Sequence, residues 1–261
     1  MRTFVYCMLL AAVTAVSQAK VVTKTVEYRQ GETVMRGYLA YDDSSHELRP
    51  GVLVVHEWWG LNDYAKERAR QLAELGYVAL AADMYGGGIV ATTAQEAGKL
   101  AGAVRGKPVL RERAQAALDE LKKSPLVDAD RIAAIGFCFG GTAALELAYA
   151  GAPLAGVVTF HGGLTTPKPE DHGRIKAKML VLHGAADPLV PPAQVAAWKK
   201  SMDQEHVDWQ LIKYSGAVHA FSNPAAGNDS SRGVAYQERA ARRSWDHMQL
   251  FFKEIFGTRP H

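Results

Sequence analysis

The chain has 261 residues, of which 48% are hydrophobic and 22% charged, and it carries a formal net charge of +3. That length and balance suit one large hydrophobic core and exclude an extended disordered chain. A charge this small, scattered along the sequence, argues against a nucleic-acid or membrane-surface partner.

In chain order, Met1-Arg2-Thr3 carries one positive charge ahead of an apolar stretch from Phe4 to Val16, and Ser17-Gln18-Ala19 places small residues where a signal peptidase reads. The stretch is shorter than the roughly 20 residues of a membrane span. Residues 1–19 are therefore expected to be a cleaved export signal. Residues 20–261 are left as a single periplasmic or secreted domain without a stable membrane anchor. Cys7 departs with the signal, so Cys138 remains alone and cannot form an intramolecular disulfide.

Val21–Arg29 and Thr33–Tyr41 alternate polar and apolar residues, as an antiparallel edge hairpin does. Short, almost wholly apolar strands are expected at Gly51–His56, Tyr77–Ala81, Ile132–Gly136, Gly156–Phe160 and Met179–His183, with a last strand at Trp209–Tyr214. Helical spacing fits Tyr64–Leu75, Thr92–Ala103, Leu110–Lys123, Thr142–Ala150, Pro192–Met202 and Gly233–Phe256. The alternation predicts an α/β domain: a mostly parallel, doubly wound sheet of about eight strands with helices on both faces. Ligands of such sheets gather at the carboxyl ends of the strands.

Three loops at those ends carry reactive side chains. Gly136-Phe137-Cys138-Phe139-Gly140 is the cysteine counterpart of the G-x-S-x-G elbow and lies between an expected strand and an expected helix. The turn forces its central residue into a strained conformation, and the glycines let strand and helix pass closely. The sulfur then stands at a helix N-terminus, where the dipole favours thiolate. Asp187 follows the next-to-last strand in Gly184-Ala185-Ala186-Asp187-Pro188, and His219 follows the last in Gly216-Ala217-Val218-His219-Ala220-Phe221. Nucleophile, acid, histidine is the chain order of α/β-hydrolases.

With these placements the chain resembles the dienelactone hydrolase family of the α/β-hydrolase fold over roughly residues 21–257. The likeness rests on His56-Glu57-Trp58-Trp59-Gly60, Asp83-Met84-Tyr85, the Cys138 elbow and the Asp187 and His219 loops. The resemblance implies that Cys138 attacks an ester carbonyl, that Asp187 and His219 complete the triad, that Glu57 helps to ionise the thiol, and that Tyr85 lies by the active site. Read without the family, a strand-end glutamate such as Glu57 is more often the ion-pair partner of a nearby arginine than a catalytic group. Family members that hydrolyse dienelactone hold the substrate carboxylate with two arginines. The matching positions here are Gly87 and Asn223, which removes both bidentate donors.

The expected chemistry is thioester formation on Cys138, with the backbone N–H of Phe139 and one near Trp58 as oxyanion donors. Trp58, Trp59, Tyr85, Phe139 and Phe221 are candidates to line an apolar acyl pocket. His56 and His183 are read as packing or supporting groups. His161-Gly162-Gly163 imitates a lipase oxyanion motif but follows the wrong strand. No phosphate loop, dinucleotide fingerprint or close histidine pair stands out, so neither cofactor nor metal is expected. The partner is a small ester or lactone. A thiol sensor that reacts without turnover, a ligand-binding protein on the same fold, and an acyltransferase remain the alternatives.

Overall fold

In the computed structural model, which describes residues 20–257, Val21–Gln30 (β1) and Thr33–Asp42 (β2) pair antiparallel, from Val21 opposite Asp42 to Gln30 opposite Thr33. The remaining strands are Arg49–Val55 (β3), Val78–Ala82 (β4), Val127–Phe137 (β5), Gly156–Phe160 (β6), Lys178–Gly184 (β7) and Trp209–Tyr214 (β8). All eight form one sheet in the order β1-β2-β4-β3-β5-β6-β7-β8. β2 joins β4 antiparallel, and every pairing from β4 to β8 is parallel. The fold is thus the expected α/β-hydrolase architecture.

The helices are Asp63–Glu74 (α1), Ala94–Val104 (α2), Pro108–Lys122 (α3), Phe139–Tyr149 (α4), Pro192–Gln204 (α5) and Glu238–Phe256 (α6). Successive strand residues point to opposite faces. Leu53 and Val55 of β3 accordingly enter a core with Leu118, Leu145 and Trp198 of α3, α4 and α5. Val52 and Val54 enter a second core with Leu72 of α1 and Phe252 of α6. The export signal expected over residues 1–19, with Cys7, lies outside the described residues. Among the described residues no helix is long and apolar enough to cross a membrane.

Two boundaries depart by five residues from the sequence-based expectation. The last helix starts at Glu238 and not at Gly233, because Gly233 sits at φ 74°, a left-handed conformation that closes the short 3₁₀ turn Ser230–Arg232. β5 begins at Val127, ahead of Ile132. Its first two residues, Val127 and Asp128, pair with Arg49 and Pro50 before the register shifts at Gly51.

From β3 the chain crosses outward to β4 and then returns to the other side of β3 as β5. This reversal opens a crevice at the carboxyl ends of β3 and β5, which lead directly into Glu57 and Cys138. The crossing is close: a Cβ on Gly136 would lie 2.0 Å from the Gly140 carbonyl oxygen, and one on Gly140 would lie 2.2 Å from that of Val55. Gly140→Ala is therefore expected to cost about 3 kcal/mol or more in urea unfolding, since backbone must move. Gly102→Ala in α2, where nothing lies within 4 Å, is expected to stabilise by about 0.5–1 kcal/mol. Equal effects of the two substitutions would contradict this reading of the elbow.

Candidate active site

Cys138 occupies the turn between β5 and α4 at φ 52°, ψ −115°. Its N–H donates to the Phe160 carbonyl at 3.0 Å, and its own carbonyl accepts from Gly141 N–H at 3.0 Å. Both bonds fix a left-handed conformation that a β-carbon makes costly. The side chain is half-buried and free, at the first turn of α4, where backbone N–H groups point outward.

Asp187 and His219 approach from the loops after β7 and β8. His219 Nδ1–H donates to Asp187 Oδ2 at 2.9 Å, and the other carboxylate oxygen accepts from Leu189 N–H at 2.8 Å. The His219 backbone is clamped, its N–H donating to Gly233 O and its carbonyl accepting from Ala235 N–H. The Nε2 atom is buried, beside the Cys138 sulfur. Burial of His219 opposes its charged form. The Asp187 hydrogen bond and the neighbouring Cys138 sulfur outweigh that, raising the imidazole pKa to about 10. The three residues predicted from separate loops are therefore brought to one place.

Glu57 is 4% exposed. Burial raises its pKa to about 7, although Asn223, His219 and Arg68 each favour the carboxylate. Its partner is the Asn223 amide, which donates to Oε2 at 2.6 Å; no arginine forms an ion pair with it among the described residues. Asn223 thus has a task that the sequence did not reveal. Gly87, at φ 64°, lies between two further glycines with positive φ. The N–H groups of Gly86 and Gly88 converge on the buried Asp83 carboxylate at 2.8 Å.

Of the aromatic candidates, Tyr85 donates its hydroxyl to the Trp58 carbonyl at 2.8 Å, holding the chain after β3. Burial raises its phenol pKa. Trp58 and Trp59 pack edge to face at 5.1 Å. Phe221 is fully buried against His161 and Tyr214. The cleft beside Cys138 and His219, about 310 Å³, is walled instead by Arg105, Leu110, Phe139, Thr142, Leu189 and Val190, among others. Trp58, Trp59, Tyr85 and Phe221 do not line it, which corrects the expected pocket. Tyr85 and Phe221 are buried in the core, and Trp58 and Trp59 are partly buried.

His56 is wholly buried, with Nδ1 on the Glu57 carbonyl and Nε2 accepting from Met84 N–H at 3.2 Å. Burial lowers its pKa to about 4. His183 is likewise depressed by burial. His161, at φ 43°, accepts or donates a 2.7 Å bond with Ser222 Oγ, and its ring lies 5.2 Å from that of His219. Ser222 is held in turn by the Tyr64 hydroxyl at 2.8 Å and by Arg68 at 2.9 Å. The His161-Gly162-Gly163 motif signalled something, but as support under the histidine loop. No group of residues that could hold a metal ion occurs among the described residues.

Comparison with known proteins gives a consistent picture. The family model for the dienelactone hydrolase family matches residues 35–256. A solved dienelactone hydrolase-like promiscuous phosphotriesterase from metagenomic libraries is similar at 46% identity and TM-score 0.86, covering 90% of this chain and 98% of that one. The solved protein m3DLH is similar at 45% identity and TM-score 0.87, with the same coverage. Protein usf of Aquifex pyrophilus is 30% identical over 234 residues, 88% of this chain and 97% of that protein.

The raised Glu57 pKa has a consequence for stability. Its folded value of about 7 exceeds the ordinary 4.5, so the contribution is present below pH 4.5 and lost as pH rises through about 7. The stability of wild type relative to Glu57→Gln is expected to fall by on the order of 3 kcal/mol between pH 4.5 and 8. Urea unfolding of both proteins across this range measures it, and parallel profiles would refute the assignment.

Proposed function

Because the chain belongs to the dienelactone hydrolase family and is an ester or lactone hydrolase, we propose that Cys138, His219 and Asp187 form its catalytic triad. The observation that carries this reading is the 2.9 Å His219–Asp187 hydrogen bond beside a cysteine held at φ 52° at a helix N-terminus. An ordinary thiol with pKa near 8.5 is only a few per cent ionised at neutral pH. An imidazole with a pKa of about 10 favours transfer of the thiol proton to Nε2. Glu57, which exchanges its proton near neutrality, assists that ionisation.

The Cys138 sulfur attacks the carbonyl carbon, and the C=O electron pair moves onto oxygen. The backbone N–H of Phe139 and one near Trp58 receive that oxyanion, each donor contributing roughly 3 kcal/mol. Collapse expels the alkoxide, which takes the proton from His219, and leaves a thioester on Cys138. Water then attacks the thioester while His219 accepts its proton. A second collapse releases the carboxylic acid and regenerates the thiolate. Asp187 keeps the ring in the working tautomer throughout.

The 46% likeness to a promiscuous phosphotriesterase supports a second reading, attack of the same sulfur on the phosphorus of an activated phosphotriester, with the P–O bond to the aryloxide breaking as the P–S bond forms and His219 protonating the leaving oxygen. We further propose that the protein is exported, with cleavage after Ala19; mass spectrometry of secreted or periplasmic material should find Lys20 as the first residue, and retention of residues 1–19 would refute it.

Cys138→Ala is expected to abolish release of 4-nitrophenol from small aryl esters while leaving Tm unchanged. Asp187→Asn is expected to lower kcat by roughly 10³-fold or more. Sustained turnover after any burst separates an enzyme from a stoichiometric thiol sensor, and added alcohols test for acyl transfer. Full activity of Cys138→Ala would remove the sulfur from the mechanism.

A further inference from the structure

One cation in the cleft takes no part in the hydrolytic steps. Arg105 ends α2, its backbone N–H bonded to Ala101 O at 2.8 Å, and Gly106 at φ 72° then turns the chain toward α3. This corner carries the guanidinium over the Phe139 ring, 5.8 Å from its centroid, and into the wall of the cleft that holds Cys138 and His219. Phe139 directly follows the nucleophile. The Tyr85 phenol, raised chiefly by burial, is pulled back by the Arg105 charge and pushed further by Cys138, so both groups act on the same region.

Arg105 has no carboxylate partner among the described residues. The nearby Arg111 guanidinium is already committed, with Glu146 at 2.7 Å and Asp171 at 2.6 Å. Glu146 reaches the cleft wall, but its charge faces Arg111. Apart from the Cys138–His219 pair, the other lining residues, such as Leu110, Thr142, Leu189 and Gln194, are apolar or neutral. An arginine resting on an aromatic face keeps its in-plane N–H donors available for a planar anion. A guanidinium without a carboxylate partner, in the same wall as Cys138, thus gives the cleft a preferred substrate charge.

We propose that Arg105 is a specificity-determining residue that selects esters bearing an anionic group several atoms from the scissile carbonyl. The inference rests on the hydrolase reading above and names the substrate class of that site. It places the anion-binding cation away from positions 87 and 223, which carry Gly and Asn.

The test is a matched pair of substrates, 4-nitrophenyl hexanoate and the 4-nitrophenyl monoester of adipic acid, with spontaneous hydrolysis subtracted. In wild type kcat/KM should favour the adipate, and that preference should shrink as salt is added. In Arg105→Gln the adipate-to-hexanoate ratio of kcat/KM should fall about tenfold, and Arg105→Lys should recover part of it. An equal loss on both esters would assign Arg105 to support of the thiolate and overturn the proposal. An unchanged ratio would make it a solvated surface cation and also overturn it. Cys138-dependent hydrolysis of the hexanoate upholds the hydrolase reading whichever way the ratio moves; hydrolysis of neither ester defeats both.

Discussion

Everything at the site depends on one residue with a side chain being held where a side chain is disfavoured. Cys138 sits at φ 52° as the single residue joining β5 to α4. That meeting is possible only without β-carbons at Gly136, Gly140 and Gly141. A Cβ on Gly141 would come 2.3 Å from Thr159 Oγ1, so the elbow is also fitted against β6. The Phe160 carbonyl then anchors the Cys138 N–H, and the next residue, His161, itself takes a positive φ. Strain in the backbone is thereby balanced by the packing of three consecutive elements, β5, α4 and β6.

Around this turn the fold sets three buried titratable groups apart. His56 is driven down to about 4 and Glu57 up to about 7, because burial penalises charge in each. His219 is buried too, yet it is driven the other way, to about 10, since it alone faces a hydrogen-bonded carboxylate and a sulfur. Neighbouring groups whose environments push their proton affinities apart are the means by which one cleft can both withdraw and return a proton. The loop that carries His219 keeps its position through a second tier: His161, Ser222, Tyr64 and Arg68 form a connected polar chain under it. Asn223, in the same loop, reaches Glu57.

The eight strands were legible because parallel strands covered on both faces must be apolar throughout, whereas the edge hairpin alternates. The elbow, Asp187 and His219 were legible because strand ends and glycine spacing mark them locally. The start of the last helix was misplaced since a left-handed Gly233 interrupts a segment whose composition is otherwise helical. The pocket was misjudged for a different reason. Aromatic residues near strand ends look alike in sequence whether they line a cleft or, like Phe221, lie wholly beneath it.

From the sequence alone came the layered sheet, its motifs and the chain order of the three reactive residues. Each of these is written in short-range periodicity and turn chemistry, which neighbouring residues determine. Folding alone decided that Asn223 should serve Glu57, that His161 should underlie His219, and that Arg105 should lie over the Phe139 ring. Glu57 and Asn223 are 166 residues apart in the chain. Such contacts depend on how loops from distant strands pack against one another, and no local pattern encodes that distance.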